Sequence, residues 1–454
     1  VQRGWATRRA DSHLARLNWP PSVSMQRVRR VSEHIVAPRC CCTAAASCSE
    51  PSATAAAAAS SALLLGLAAE LEAQAQRVSA VSVVAGFDAF VDEFFVPVDR
   101  RQSPTAFDPV PSIGAFAEQL AKAAGQSATR EIVASGSSDS GGNSVNLSDG
   151  LNSLGAQTHL FATVGDPMHP AFVEVASGCA SVECFAGLPP GRSICLEFGD
   201  GKVMLNSVAS FAQLDGRRLA AALANSAFLA ACQDADAICL SNWTMFPFMT
   251  ECWQLLRAEL AKVLRPRVVP RLIFVDVTDP AGRSDADVRE MLTELAAFRS
   301  LGTTALGVNL NEANRFARLS TGVPQVTSEA EGPGAVAAQA AALRTALGVD
   351  VVVIHCMRFA ALADDGGGAP VWEHGCFTEA PRRSTGAGDR FNAGWVLGAC
   401  LQLPPRQQLL LGSAVSGFFV RHARSPALLT NGDSCDDERG ELASFLTQWA
   451  QGTL

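Results

Sequence analysis

Short apolar runs alternate with amphipathic stretches along most of this 454-residue chain. Residues 78–85 form a compact apolar run that stops at Gly86-Phe87-Asp88. Residues 158–164, 237–240, 271–277, 304–308 and 349–354 repeat the pattern, and Gly, Asn, Asp or a turn follows most of them. Such runs predict buried strands. Apolar spacing of three and four predicts helices over 113–124, 170–178, 248–264, 285–299 and 334–347, with a helix face through Val145, Leu147, Leu151 and Leu154. Three last helices are expected over 389–401, 407–422 and about 437–451. A repeated strand–helix rhythm predicts an α/β fold with a mostly parallel, layered sheet.

A second pattern interrupts the first. Residues 91–98 are strand-like, and 193–198 and 202–208 flank Gly199-Asp200-Gly201 as a hairpin would. These segments form either a small sheet projecting from the body or an ordinary pair at the sheet edge. Residues 99–112, with Pro104, Pro109 and Pro111, read as a loop, and 134–144 as a flexible turn. Residues 370–377 read as one more strand, and 324–334 and 364–369 as loops.

The beginning of the sequence differs. Residues 1–50 carry eight Arg, no Lys and three acids, Asp11, Glu33 and Glu50. This composition fits a transit peptide for a plastid or mitochondrion, a translated upstream region with Met25 as the start, or a disordered basic tail. Without a transit peptide the expectation is a cytoplasmic protein. Residues 53–69 are apolar and Ala-rich, but Glu70 and Glu72 follow directly, so a short helix running on to Arg77 is expected rather than a membrane span. The folded domain is accordingly expected over 79–454, with 1–78 as a leader.

Composition narrows the function classes. The net charge of −8 gives no reason to expect a nucleic-acid partner. The 14 Cys are scattered except for Cys40, Cys41, Cys42 and Cys48, and no paired Cys-x-x-Cys spacing for zinc occurs. The pattern suits a reducing compartment, with Cys239 and Cys356 as small apolar residues.

Candidate chemistry gathers at predicted strand ends: Asp88, Asn242, Asp276, Asn309, Glu312 and Asp389. Open parallel sheets bind ligands at that edge. Ser384-Thr385-Gly386-Ala387-Gly388-Asp389 leads into a helix whose unpaired N–H groups can hold an anion beside an acid. That pairing suits phosphoryl transfer. Neither a Gly-Lys-Ser/Thr phosphate loop nor a Gly-x-Gly-x-x-Gly after the first strand is present.

With these positions in order, the chain resembles the ribokinase-like (PfkB) family of carbohydrate kinases over residues 79–434. The resemblance implies a three-layer sandwich with a small β lid near 91–98 and 193–208. It implies an anion hole at Gly386, Ala387 and Gly388 and a base at Asp389. Asp88, Gly141, Gly142, Asn143 and Asn146 would meet the sugar, with Asn242 near it. Asn309, Glu312, Thr385 and His355 would face the nucleotide, and Glu312 would reach Mg2+ through water or phosphate. The implied cofactors are ATP and Mg2+, with room for a monovalent cation. The implied activity is an ATP-dependent kinase for a sugar or sugar-like hydroxyl, in a monomer or homodimer away from membranes. A nucleoside kinase and a non-catalytic sugar- or nucleotide-binding relative are the alternatives. Two departures stand out: Ser384 replaces an acid, and Cys356 stands where a glycine turn is expected.

Overall fold

The structure is a computed structural model that describes residues 53–136, 138–428 and 440–454. The Arg-rich segment, the clustered cysteines at 40–48 and the readings attached to them lie outside the described residues. Among the described residues no helix is long and apolar enough to cross a membrane.

The strands, in chain order, are β1 (Ser82–Phe87), β2 (Phe90–Arg101), β3 (Phe107–Pro109), β4 (Ile132–Ala134), β5 (Asp139–Gly141), β6 (Gln157–Ala162), β7 (Ser181–Cys184) and β8 (Gly191–Phe198). They continue with β9 (Gly201–Ser207), β10 (Ala237–Ser241), β11 (Leu272–Asp276), β12 (Thr303–Asn309), β13 (Val351–His355), β14 (Phe359–Ala363) and β15 (Val371–His374). Nine of them form the central sheet in the order β15-β14-β13-β12-β11-β10-β1-β6-β7. The strands from β7 to β13 in that order run parallel, and β14 and β15 close the edge antiparallel.

Successive side chains on a strand face opposite ways. Val83 and Ala85 therefore join one core, and Val84 the other. The first core takes the helices Ala53–Ala73, Asn143–Ser153, Ala387–Cys400, Pro405–His422 and Glu441–Gln451. The second takes Gly216–Asn225, Met249–Val263, Asp285–Ala297 and Pro333–Leu347. Helices on both faces of one sheet give the three-layer sandwich.

The folded body begins earlier than residue 79. Leu64, Leu67 and Leu71 of the helix Ala53–Ala73 are buried in the first core together with Leu442, Phe445 and Leu446. Burial of an apolar helix face against a second helix stabilises both.

The lid is a separate sheet rather than an edge of the central one. Its long strand β2 pairs in parallel with β8, and β9 returns antiparallel on β8. β3, β4 and β5 also pair with β2, all three antiparallel. Segments read as a loop at 99–112 and a flexible turn at 134–144 thus contribute the end of β2, β3 and β5. Three-residue strands show too little alternation to be read from sequence.

Order in the central sheet reverses at β1, which lies between β6 and β10. A parallel sheet opens a crevice beyond the carboxyl ends at such a point. Asp88 follows β1, Asn242 follows β10, and β2 rises from this place into the lid.

Candidate active site

The helix Ala387–Cys400 starts from Gly386, whose φ of 85° lies in the left-handed region. A side chain there would meet Arg390 Nη1 at 2.6 Å. The loop can therefore turn tightly and leave N–H groups of the first helical turn unpaired. Asp389 stands in that turn and is 9% exposed. Its Oδ1 accepts from Asn143 Nδ2 at 2.9 Å, and its Oδ2 accepts from Asn146 Nδ2 at 2.9 Å. Both carboxylate oxygens are thus oriented by amides of a second helix, Asn143–Ser153.

That second helix is placed by its own start. Gly142 has φ 103°, and a Cβ there would lie 2.9 Å from Ala89 Cα and 3.0 Å from Asp88 O. Asp88 lies behind the helix start and accepts from Asn143 N at 2.8 Å and Ser144 N at 3.0 Å. Its third donor is Asn242 Nδ2 at 2.9 Å. Asp88 is fully buried and Asn242 is 1% exposed, so the structure sets both behind the helix start rather than on an open surface. A helix terminus supplies the N–H groups that offset the burial of a carboxylate. Burial still raises the Asp88 pKa.

Two more acids lie near Asp389. Asp276 ends β11 and accepts from Asn392 Nδ2 at 2.7 Å and from Thr278 N at 2.9 Å. Glu312 Oε2 accepts from Asn309 N, and Asn309 Oδ1 accepts from Glu312 N. The Asn309-x-x-Glu312 spacing is therefore also a capping box for the helix Leu310–Leu319. Burial, followed by the negative charge of Asp276, pushes Asp389 up to about 8. Burial raises Asp276 to about 6 and Glu312 well above its usual range, with Asp276 the next cause for Glu312. Loss of water disfavours the charged form of each acid, and a neighbouring acid adds to that penalty.

The lid contributes groups beyond the sequence expectation. Asp92 on β2 is 3% exposed, and its Oδ1 has no hydrogen-bond partner. Gly141 makes the space, since a Cβ there would lie 2.5 Å from the Asp92 Cγ. Arg383 donates to Asp139 at 3.1 Å, but its buried Nε is also unpartnered. The charges of Arg383 and Lys202 oppose the rise that burial imposes on Asp92. Two buried, unsatisfied polar atoms under one lid are suited to polar groups of a ligand.

A cavity of about 490 Å³ opens on the other side of the helix start. Asn309, His355, Cys356, Phe377, Ser384 and Gly388 are among the residues that line it. Its size suits a small organic ligand. His355 ends β13 beside Phe391, with ring centroids 5.3 Å apart, and burial lowers its pKa to about 4. It is neutral at pH 7. The turn after β13 holds without glycine: Cys356 N donates to Phe359 O, and Glu329 accepts from Met357 N at 2.9 Å and Arg358 N at 3.3 Å. An outside carboxylate thus satisfies the turn's free donors.

The structure brings together Asp88, Asn143, Asn146, Asn242 and Asp389 through one hydrogen-bond network. Gly388, His355 and Asn309 line the adjoining cavity. No group of three or more acidic, His or Cys side chains that could hold a metal occurs among the described residues. Asp92, Arg383 and Thr278 lacked a motif of their own.

Known proteins of this architecture carry related names. A ketohexokinase of Haloferax volcanii is 29% identical over 357 residues, which span 78% of this chain and 91% of that protein. The solved carbohydrate kinase from Agrobacterium tumefaciens is 16% identical with a TM-score of 0.51, covering 81% of this chain and 97% of its own. A ribokinase from Cryptococcus neoformans in complex with ADP is also 16% identical with a TM-score of 0.51, covering 80% and 98%. At such identities the solved structures share the fold. The family described as prokaryotic ketohexokinase matches residues 66–431. Its match and the site architecture agree: the chain belongs to the prokaryotic ketohexokinase family, within the ribokinase-like (PfkB) kinases, which transfer phosphate to small-molecule acceptors.

Proposed function

We propose that the protein transfers the γ-phosphoryl group of ATP to a hydroxyl of a ketohexose, with Asp389 as the base. The observation that carries this reading is the double amide clamp on Asp389 at a helix start, between the cavity and the lid. A neutral sugar hydroxyl is a weak nucleophile. Asp389 takes its proton as the new oxygen–phosphorus bond forms and the bond to the bridging oxygen of ADP breaks. The amides of Asn143 and Asn146 hold the receiving oxygens in place. The backbone N–H groups of Gly386, Gly388 and Asp389 would meet the charge that develops on the transferred group, whereas that of Ala387 is already donated to Ser384 O at 3.2 Å.

Asp92 and Arg383 supply unsatisfied polar atoms for sugar hydroxyls, and Gly141 and Gly142 let the backbone approach. A site that pairs several hydroxyls rejects analogues lacking one. The nucleotide would occupy the cavity beside His355, Thr385 and Ser384. The donor set fits Mg2+ held mainly by phosphate oxygens and water, with Asn309 and Glu312 at the outer positions. That ion supplies charge neutralisation on the phosphates. The lid keeps water, a competing acceptor, from the transferred group.

The test is ADP release with Mg2+ and ATP over a panel of ketohexoses, aldohexoses and nucleosides. Ketohexose-dependent turnover is expected, and Asp389→Asn should lower it by about 10³-fold or more with the fold intact. Near-normal turnover in that variant would overturn the base. Turnover only with nucleosides would overturn the acceptor class.

A further inference from the structure

The hydrogen-bond network around Asp389 has one further member. Thr278 follows β11 and has φ 61°, a left-handed backbone for a β-branched residue. Such a conformation is strained, and it persists only where surrounding contacts hold it. Three contacts do so here. Its N–H donates to Asp276 Oδ1 at 2.9 Å. Its carbonyl accepts from Thr244 Oγ1 at 3.1 Å. Its hydroxyl donates to Asn143 Oδ1 at 3.0 Å.

The last contact bears on the base. An Asn side chain has one accepting and one donating end, and rotation by half a turn exchanges them. Asn143 must turn its donating end to Asp389 Oδ1, where it lies at 2.9 Å. With the ends exchanged, the amide oxygen would face a carboxylate oxygen and repel it. The carboxylate selects the donating end, and the Thr278 hydroxyl, which can donate or accept, pairs the Oδ1 that is left and holds the amide in that orientation. A glycine would adopt the Thr278 backbone without strain but could not donate.

We infer that Thr278 is a positioning residue for phosphoryl transfer: its strained backbone aims a hydroxyl at Asn143 and so anchors that amide with its donating end on the base. The inference rests on Asp389 being the base. The relay runs Thr278 Oγ1 to Asn143 Oδ1, then Asn143 Nδ2 to Asp389 Oδ1, and joins one loop and two helices that meet only in the folded protein.

The experiment compares Thr278→Ser, Thr278→Val and Thr278→Gly in the full chain, with ketohexose turnover and thermal melting measured on each. Serine keeps the donor and should hold kcat within about threefold. Valine keeps the shape without the donor and should lower kcat about 10- to 100-fold, the scale of a misplaced catalytic group. Glycine relieves the backbone, so its Tm should match or exceed the native value while kcat falls like that of valine. A merely structural threonine would not separate these two readouts. In an Asn143→Ala background, Thr278→Val should have no further effect on kcat. Retention of kcat in both the valine and glycine variants, or equal loss in the serine variant, would overturn the inference. Asp389→Asn measured alongside distinguishes the failures. Near-normal turnover there removes the base and this relay together, whereas loss there with native turnover in Thr278→Val removes the relay alone.

Discussion

Arg390 Nη2 donates to Asp149 Oδ2 at 2.6 Å, and this pair ties the two helices that meet at the site. Arg390 follows the proposed base directly, and Asp149 lies one turn beyond Asn146. Ser425 Oγ adds a second bond to Asp149 at 2.7 Å, and the guanidinium lies 4.4 Å from the Phe419 ring centre. The Arg390 side chain is 7% exposed and that of Asp149 33%. Asp149→Asn leaves a buried guanidinium short of its counter-charge. It should cost about 1–3 kcal/mol, with the partial exposure of Asp149 keeping it below the cost of breaking a fully buried pair. Urea unfolding of the variant measures this, and an unchanged midpoint would sink the idea.

Gly142→Ala tests the start of the other helix. The new methyl would meet backbone at 2.9 and 3.0 Å, at φ 103°. Backbone cannot swing aside as a side chain can, so a loss of about 2 kcal/mol or more is expected. The shift would also carry Asn143 away from Asp389, so kcat should fall further than the folded fraction does. Loss of stability with full turnover per folded molecule would show that the helix start tolerates displacement.

Much of this site was legible because its signals are local. Gly386 and Asp389 lie three residues apart, and Gly142 stands immediately before Asn143, so one turn of backbone carries each message. The βα rhythm was legible because strands such as β10 and β11 are buried along their whole length. Thr278 was not legible, since its partner Asn143 is 135 residues away. The bond between Asp88 and Asn242 spans 154 residues and was likewise not legible. The place of the helix Ala53–Ala73 in the core was not legible, because an Ala-rich stretch shows no clear apolar face. Its leucines gain their meaning from the helix Glu441–Gln451, at the far end of the chain.

Asp92→Asn and Arg383→Met test the lid subsite. Each removes a group with a buried, unpartnered atom, and neither touches the cavity beside His355. The ketohexose KM should rise about 10- to 100-fold in each, because a paired hydroxyl would lose its partner. The ATP KM should move far less. Equal rises in both constants would place these side chains in general lid closure instead.

The acids around Asp389 set the response to pH. Its folded pKa is raised to about 8, chiefly by burial, while Asp276, Asp88 and Glu312 lie near it and Arg390 opposes the shift. A base works only when deprotonated, so kcat/KM should climb with pH towards about 8 and then level. Stability should run the other way. A carboxyl whose folded pKa exceeds its unfolded value holds a proton more tightly when folded. Its stabilising effect is complete below the unfolded pKa near 3.8 and is lost as pH rises through about 8. Asparagine at position 389 cannot ionise, so the Asp389→Asn variant should melt progressively higher than the native protein as pH rises from 4 to 8. Asp276, raised to about 6, keeps part of the native slope in that variant. Parallel melting curves for the two proteins across that range would mean that the carboxyl is ionised in the folded state with no penalty from its burial.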